Sequence, residues 1–229
     1  MIAAASGADC IYVDFEHGTA SLETAAMLCG SALGAGIAPL VRVPSGAYDM
    51  ATRMLDAGAA GLLLPHIETA EEAEQAIMRI RFAPEGNRSF GGIGMATRYR
   101  PQPQGELIEK LNRNISVLAM IETPTAVENA DAIAAVDGID VLLIGSNDLS
   151  IEMGIPGQLK SAEITGAIEK VGQACKAHGK SLGIGGIRND KEHFQKLIGL
   201  GAKFLIIGSD AGYLGLGITG DVKQLRSME

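Results

Sequence analysis

Short apolar runs, four to six residues long and apolar on both faces, recur along the chain and alternate with longer stretches at helical spacing. The runs read as strands at Ile11–Phe15, Ala38–Val43, Gly61–Pro65, Ser116–Ile121, Asp140–Ile144, Ser181–Ile184 and Phe204–Ile207. Thr69-Ala-Glu-Glu72 is a capping box, and the helix behind it carries Ala73, Ala76, Ile77 and Ile80 on one face. Thr125-Ala-Val-Glu128 opens another helix in the same way. From Ser161 to His178, Ile164, Ala167, Ile168, Val171 and Cys175 form one apolar face, and Gly179 stands where a helix C′ glycine belongs. Regular alternation of strand and helix predicts a parallel sheet. The expected fold is α/β, a TIM (β/α)8-type barrel lacking its first strand. Met1 to Ala8 reads as the end of a helix entering the Ile11 strand, so a gap is expected between the Ile11 and Phe204 strands. The irregular stretch from Arg81 to Gly105 reads as a lid, an interface or a mobile segment.

The chain has 229 residues, enough for one such domain, and residues 1–229 are read as a single α/β-barrel catalytic domain. Aromatics are only 4%, so the core is built from Ala, Ile, Leu, Val and Met. A net charge of −8 and a pI near 5.1 exclude the basic stripe of a nucleic-acid binder. An anionic substrate then needs local cations or a metal to overcome that field. Cys10, Cys29 and Cys175 lack metal-ligand spacing and read as reduced thiols of a cytoplasmic protein. Neither a signal peptide nor a membrane-spanning run is legible.

The candidate chemistry sits where apolar runs end in charge. Glu122 closes Leu118-Ala-Met-Ile and Asp148 follows Leu142-Leu-Ile-Gly-Ser-Asn, 26 positions later, about one right-handed crossover. Two carboxylates are thereby set at the C-terminal ends of neighbouring strands, where α/β folds place their chemistry. Paired oxygens there suit a divalent cation, Mg²⁺ or Mn²⁺. Tyr12-Val-Asp-Phe-Glu-His-Gly18 puts Asp14 and His17 at another strand end, the carboxylate expected to orient the imidazole as a base. His66 is a weaker candidate for the mouth, while His178 and His193 read as exposed helix positions. Arg42, inside Pro39-Leu-Val-Arg-Val-Pro44, needs an anion, either a substrate or a nearby acid. Gly145 to Asp148 can offer backbone N–H groups to a small carboxylate. Gly183-Ile-Gly-Gly-Ile resembles a glycine-rich phosphate turn, which close backbone packing at a barrel rim explains equally well, and no ligand is assigned to it. No lysine sits at a strand end as a Schiff base requires.

In order and spacing, Asp-x-Glu-His-Gly, Val-Arg-Val-Pro, Gly-Leu-Leu-Leu-Pro, Ile-Glu-Thr-Pro, Ile-Gly-x-x-Asp-Leu-Ser and the closing Phe-Leu-Ile-Ile-Gly-Ser-Asp resemble the class II, metal-dependent pyruvate aldolases. These cleave 2-dehydro-3-deoxyglucarate, 4-hydroxy-2-oxoheptanedioate and related 2-keto acids. The resemblance runs from about Ala8 to Leu214 and implies a lyase forming or cleaving a C–C bond through a pyruvate enolate, with an aldehyde as the second product. It implies Glu122 and Asp148 as ligands of Mg²⁺, Mn²⁺ or Co²⁺, and His17 supported by Asp14 as the base. It implies Arg42 at the pyruvyl oxygen, Gly145 and Asn147 at the pyruvate carboxylate, and a homo-oligomer, typically a hexamer. The chain departs from the family pattern at Met120, where a glutamine is usual, and at Arg88-Ser89, where Arg-Gly is usual. A Claisen-type, citrate-synthase-like enzyme on the same barrel, or a non-catalytic binding barrel, are the competing readings.

Overall fold

In the computed structural model, which describes residues 1–188 and 190–228, the apolar runs form one sheet of seven parallel strands in strict chain order. These are β1 (Cys10–Asp14), β2 (Ala38–Arg42), β3 (Gly61–Leu64), β4 (Ser116–Ile121), β5 (Val141–Gly145), β6 (Ser181–Gly185) and β7 (Ala202–Leu205). The helices are α1 (Ile2–Ala5), α2 (Leu22–Gly34), α3 (Tyr48–Asp56), α4 (Ala70–Ile80), α5 (Gln104–Arg113), α6 (Pro124–Glu128), α7 (Ala130–Ala135), α8 (Ser146–Glu152), α9 (Ala162–Ala177), α10 (Lys191–Gly199) and α11 (Asp210–Arg226). Among the described residues no ladder joins β7 to β1, so the sheet has two edges, at the place the sequence predicts a gap.

The period of two along each strand sorts the core into two layers. Val41, Leu62, Val117, Ala119, Ile121, Leu142, Ile144 and Ile184 face the helices and bury against Ala73, Ile77, Ile133, Ile168 and Val171. The opposite parity, Leu40, Leu63, Leu118, Met120, Val141 and Leu143, forms an inner cluster. Tyr12 of β1 and Phe204 of β7 pack on that same inner cluster, so the sheet curls until its two edges share one interior. Each fully buried aliphatic side chain contributes about 1.5–3 kcal/mol of transfer free energy. At Gly183 a Cβ would lie 2.9 Å from Leu143 and 3.0 Å from Val141, which favours close packing over a phosphate turn at that glycine of β6.

Helix starts follow local chemistry. At α4, Thr69 Oγ1 accepts from the amide of Glu72 at 3.2 Å, and Glu72 Oε2 accepts from the amide of Thr69 at 3.3 Å. At α6 the cap is Thr123 rather than Thr125, its hydroxyl accepting from the Ala126 amide at 3.1 Å. Pro124 decides this, because its fixed φ and missing N–H suit the first helical position. His193 is buried in the first turn of α10, not exposed.

The first part of the stretch after α4, Arg81 to Arg88, is anchored to the body of the fold. Arg81 Nη2 donates to the carbonyls of Ile115 and Gly138, each at 3.3 Å, just before β4 and β5 begin. Asn112 closes two hydrogen bonds on the Phe82 backbone, at 2.8 and 3.0 Å. Arg88 lies 4.5 Å over the Phe82 ring and donates to Asp56 Oδ1 at 2.6 Å, at the end of α3. These anchors lie at the strand N-termini, opposite the end that carries Glu122 and Gly145. The Arg88-Ser89 departure therefore bears on structure there and not on the mouth.

Candidate active site

The inward parity of each strand brings its charged residue to the C-terminal mouth. Asp14 follows Tyr12 on β1, Arg42 follows Leu40 on β2, and Glu122 follows Met120 just beyond β4. Asp14 and Arg42 are register partners across β1 and β2, so their side chains meet directly. Arg42 Nε and Nη2 donate to the two Asp14 oxygens at 2.8 and 2.6 Å, a bidentate pair. Its Nη1 stands 3.1 Å from Glu16 Oε2. Burial pushes the Asp14 carboxyl up, but the hydrogen bonds and charge of Arg42 more than offset it and hold the group below its ordinary value. A guanidinium has five N–H donors. Those three contacts leave one donor on each terminal nitrogen for a substrate oxygen.

Glu16 extends the network. Its Oε1 lies 3.4 Å from His66 Nε2, and His66 Nδ1 lies 3.7 Å from Glu122 Oε2. The amide of His66 also donates to Glu122 Oε2 at 3.0 Å. His66 makes that contact from φ 54°, a left-handed conformation that costs a non-glycine residue of order 1–3 kcal/mol. Sequence reasoning ranked His66 low and gave Glu16 no role. The signal for Glu16 was its position two after Asp14, on the same side of the chain; nothing in the sequence brings residue 66 to residue 122.

Glu122 is 2% exposed. Burial raises its carboxyl above the ordinary range; the His66 amide and imidazole pull it down, and the charges of Asp148 and Glu16 push it up. At Gly145 a Cβ would lie 2.5 Å from Glu122 Oε1, so only glycine leaves that oxygen its place. The hydrogen bond found on this carboxylate, from His66, goes to Oε2, and Asp148 follows in the first turn of α8. Buried carboxylate charge with neighbours of the same sign calls for a cation. Among the described residues no group of three metal-ligating side chains converges. A magnesium-like ion needs no more than one or two carboxylates, with water and substrate oxygens completing the shell. Glu122 and Asp148 fit that demand.

The remaining expected residues fall as follows. Asp14 does touch His17, but through the backbone amide at 3.4 Å, its oxygens being taken by Arg42. The expected Asp14–imidazole pair is thus replaced by an Asp14–Arg42 pair, and the His17 side chain lies exposed at the rim. Asn147 is exposed at the start of α8 beside half-buried Gly145.

A family profile described as HpcH/HpaI aldolase/citrate lyase matches residues 1–215. The chain belongs to that family. Within it, the chain is 38% identical over 219 residues to a 4-hydroxy-4-methyl-2-oxoglutarate aldolase of Chaetomium globosum, covering 94% of this chain and 81% of the relative. It is 33% identical over 210 residues to a 5-keto-4-deoxy-D-glucarate aldolase of Shigella dysenteriae, covering 90% and 79%. Among solved structures, an HpcH/HpaI aldolase from Desulfitobacterium hafniense superposes with a TM-score of 0.93 at 31% identity, covering 98% of this chain and 86% of that one. The citrate synthase SbnG superposes at 0.86, also with 31% identity, covering 100% and 89%. The HpcH/HpaI relatives named here as aldolases are carbon–carbon lyases, the enzyme class the motif order predicts.

Proposed function

We propose that the protein is a divalent-metal-dependent aldolase that cleaves or forms a C–C bond in a 2-keto acid through a pyruvate enolate. The observation that carries this reading is Glu122, buried against Gly145 beside Asp148 and within one barrel mouth of Arg42. Glu122 and Asp148 would hold the cation, which when bound would supply Lewis-acid stabilisation of developing negative charge. The family's aldolases share that dependence; Mg²⁺ or Mn²⁺ suits the two oxygen donors.

The chain's own groups do the rest. Asp14 and Glu16 fix the Arg42 guanidinium, whose two spare N–H groups meet the oxyanion that develops on the pyruvyl half. The backbone from Gly145 to Asn147 receives the carboxylate of that half. His17 takes the proton of the C4 hydroxyl as the C3–C4 bond breaks. The electron pair of that bond enters the pyruvyl half, the C4 oxygen becomes the carbonyl of the second product, and the proton then returns to C3. Met120, packed with Leu143 below Glu122, makes the floor of the mouth apolar where a glutamine would offer polar contact.

The likeness to a citrate synthase supports a second reading, a Claisen-type condensation on the same site. The higher identity to an aldolase over nearly the whole chain favours the first. A set of Asp14, His17, Arg42, Glu122 and Asp148 gathered at one mouth also weighs against a purely binding barrel. Release of pyruvate from 2-keto-4-hydroxy acids, against citrate formation from oxaloacetate and a thioester, separates the two enzyme readings. Self-association into a homo-oligomer belongs to the same proposal. It is supported by α11, none of whose residues is buried although it carries Tyr213, Leu214, Leu216, Ile218, Val222 and Leu225. Buried Cys29 and Cys175, free and pushed up to about 11 by burial, fit a reducing, cytoplasmic setting.

A further inference from the structure

We infer that Arg188 selects the carbonyl partner, binding the carboxylate of an acidic acceptor so that the enzyme prefers keto acids and acid-bearing aldehydes to neutral ones. The inference rests on the aldolase reading and extends it to the half of the substrate that Arg42 and the metal loop do not hold.

The groups assigned to pyruvate occupy the ends of β1, β2, β4 and β5. Apart from the end of β3, which carries His66, the remaining wall of the mouth is that of β6 and β7, and Arg188 stands there, exposed, three residues beyond the end of β6. The turn leading to it abuts the metal loop: a Cβ at Gly186 would lie 3.0 Å from Asn147 Nδ2. From that turn the side chain passes β7, and Nη1 comes within 2.9 Å of where a Cβ at Gly212 would stand, in the first turn of α11. Only a residue without a side chain leaves the guanidinium that position. Burial raises the Tyr12 hydroxyl above its ordinary value, and the charges of Arg42, whose Cζ lies 5.9 Å from the ring, and of Arg188 pull it the other way. Arg42 and Arg188 thus both act by charge on the Tyr12 phenol, from opposite parts of the chain.

The other cations nearby are spent. Arg42 is held by Asp14 and Glu16, and Lys160, in the cleft beside Arg188, pairs with Asp190. No carboxylate pairs with Arg188 among the described residues. In a chain of net charge −8 an anionic acceptor is repelled at long range, so a local planar fork is what makes its capture favourable.

The test compares acceptors in the metal-loaded enzyme. Arg188→Met keeps length and removes charge; Arg188→Lys keeps charge and removes the fork. Three reactions are followed: cleavage of 4-hydroxy-4-methyl-2-oxoglutarate, whose leaving half is itself pyruvate; condensation of pyruvate with neutral propanal; and exchange of pyruvate methyl protons in D₂O with no acceptor. The expected result for Arg188→Met is a rise in KM for the diacid on the order of 10–100-fold, the size of a lost charge-assisted hydrogen bond, with propanal kinetics and proton exchange within about twofold of wild type. Arg188→Lys should recover part of the KM. Unchanged diacid kinetics in Arg188→Met, or an equal loss in all three reactions, overturns the assignment. Absence of proton exchange in the wild-type enzyme overturns the aldolase reading itself, and is seen without reference to Arg188.

Discussion

Glu122 and Gly145 make one unit: the carboxylate occupies the space a side chain at 145 would take. Gly145→Ala should push Oε1 aside, since the added Cβ would stand 2.5 Å from it, and weaken Mn²⁺ binding at least tenfold, on the order of 1.4 kcal/mol or more. Titration calorimetry reads that directly, and unchanged affinity would remove Glu122 from the ligand set. The proposed base behaves differently. His17→Ala should lower the rate on the order of 10²–10⁴-fold while Mn²⁺ affinity stays put, because the imidazole is not a ligand. Loss of metal in His17→Ala would reverse the two roles. Glu122, Asp14 and Arg42 were legible in the sequence because each interrupts or ends an apolar strand, where an uncompensated charge is costly. Asp14's true partner was not, because it depends on the register that sets residue 14 opposite residue 42. The Glu16–His66–Glu122 chain escaped for the same reason, joining three segments that only the curled sheet brings together.

At the scale of elements, the strands were readable because parallel strands buried on both faces leave unbroken apolar runs. Observed bounds differ from the predicted ones mainly at their ends; β7, for example, begins at Ala202 rather than Phe204. The segment from Arg81 onward was not readable, because its order comes from Arg81, Phe82, Asn112 and Arg88 reaching distant carbonyls and side chains rather than from any local pattern. The sheet's edges lead to a prediction. β4 is buried along all but its first residue, whereas β1 and β7 are mostly half-buried and paired on one side only. Hydrogen exchange on the dissociated monomer should find β1 and β7 least protected and β4 and β5 most. Equal protection across all seven would mean that the edges are covered within one chain.

At the scale of the molecule, a chain of net charge −8 carries a mouth where four carboxylates, Asp14, Glu16, Glu122 and Asp148, meet Arg42 and an exposed histidine, His66. Under the proposed function, that excess of carboxylates is balanced by a bound divalent cation. The apolar side chains of α11 belong to the same scale: light scattering should return a multiple of the 23.8 kDa chain mass, and Leu216→Asp with Ile218→Asp should shift it toward one. A wild-type monomer at micromolar concentration would refute the proposed assembly. The central claim is that Glu122 and Asp148 hold a cation which, with Arg42, lets pyruvate lose a methyl proton. It is tested most directly by following that proton's exchange with D₂O by NMR, in metal-stripped protein, after adding Mg²⁺ or Mn²⁺, and in Glu122→Gln. Exchange that appears only with metal and is lost in Glu122→Gln is the predicted result; full exchange in excess chelator, or in Glu122→Gln, would contradict it.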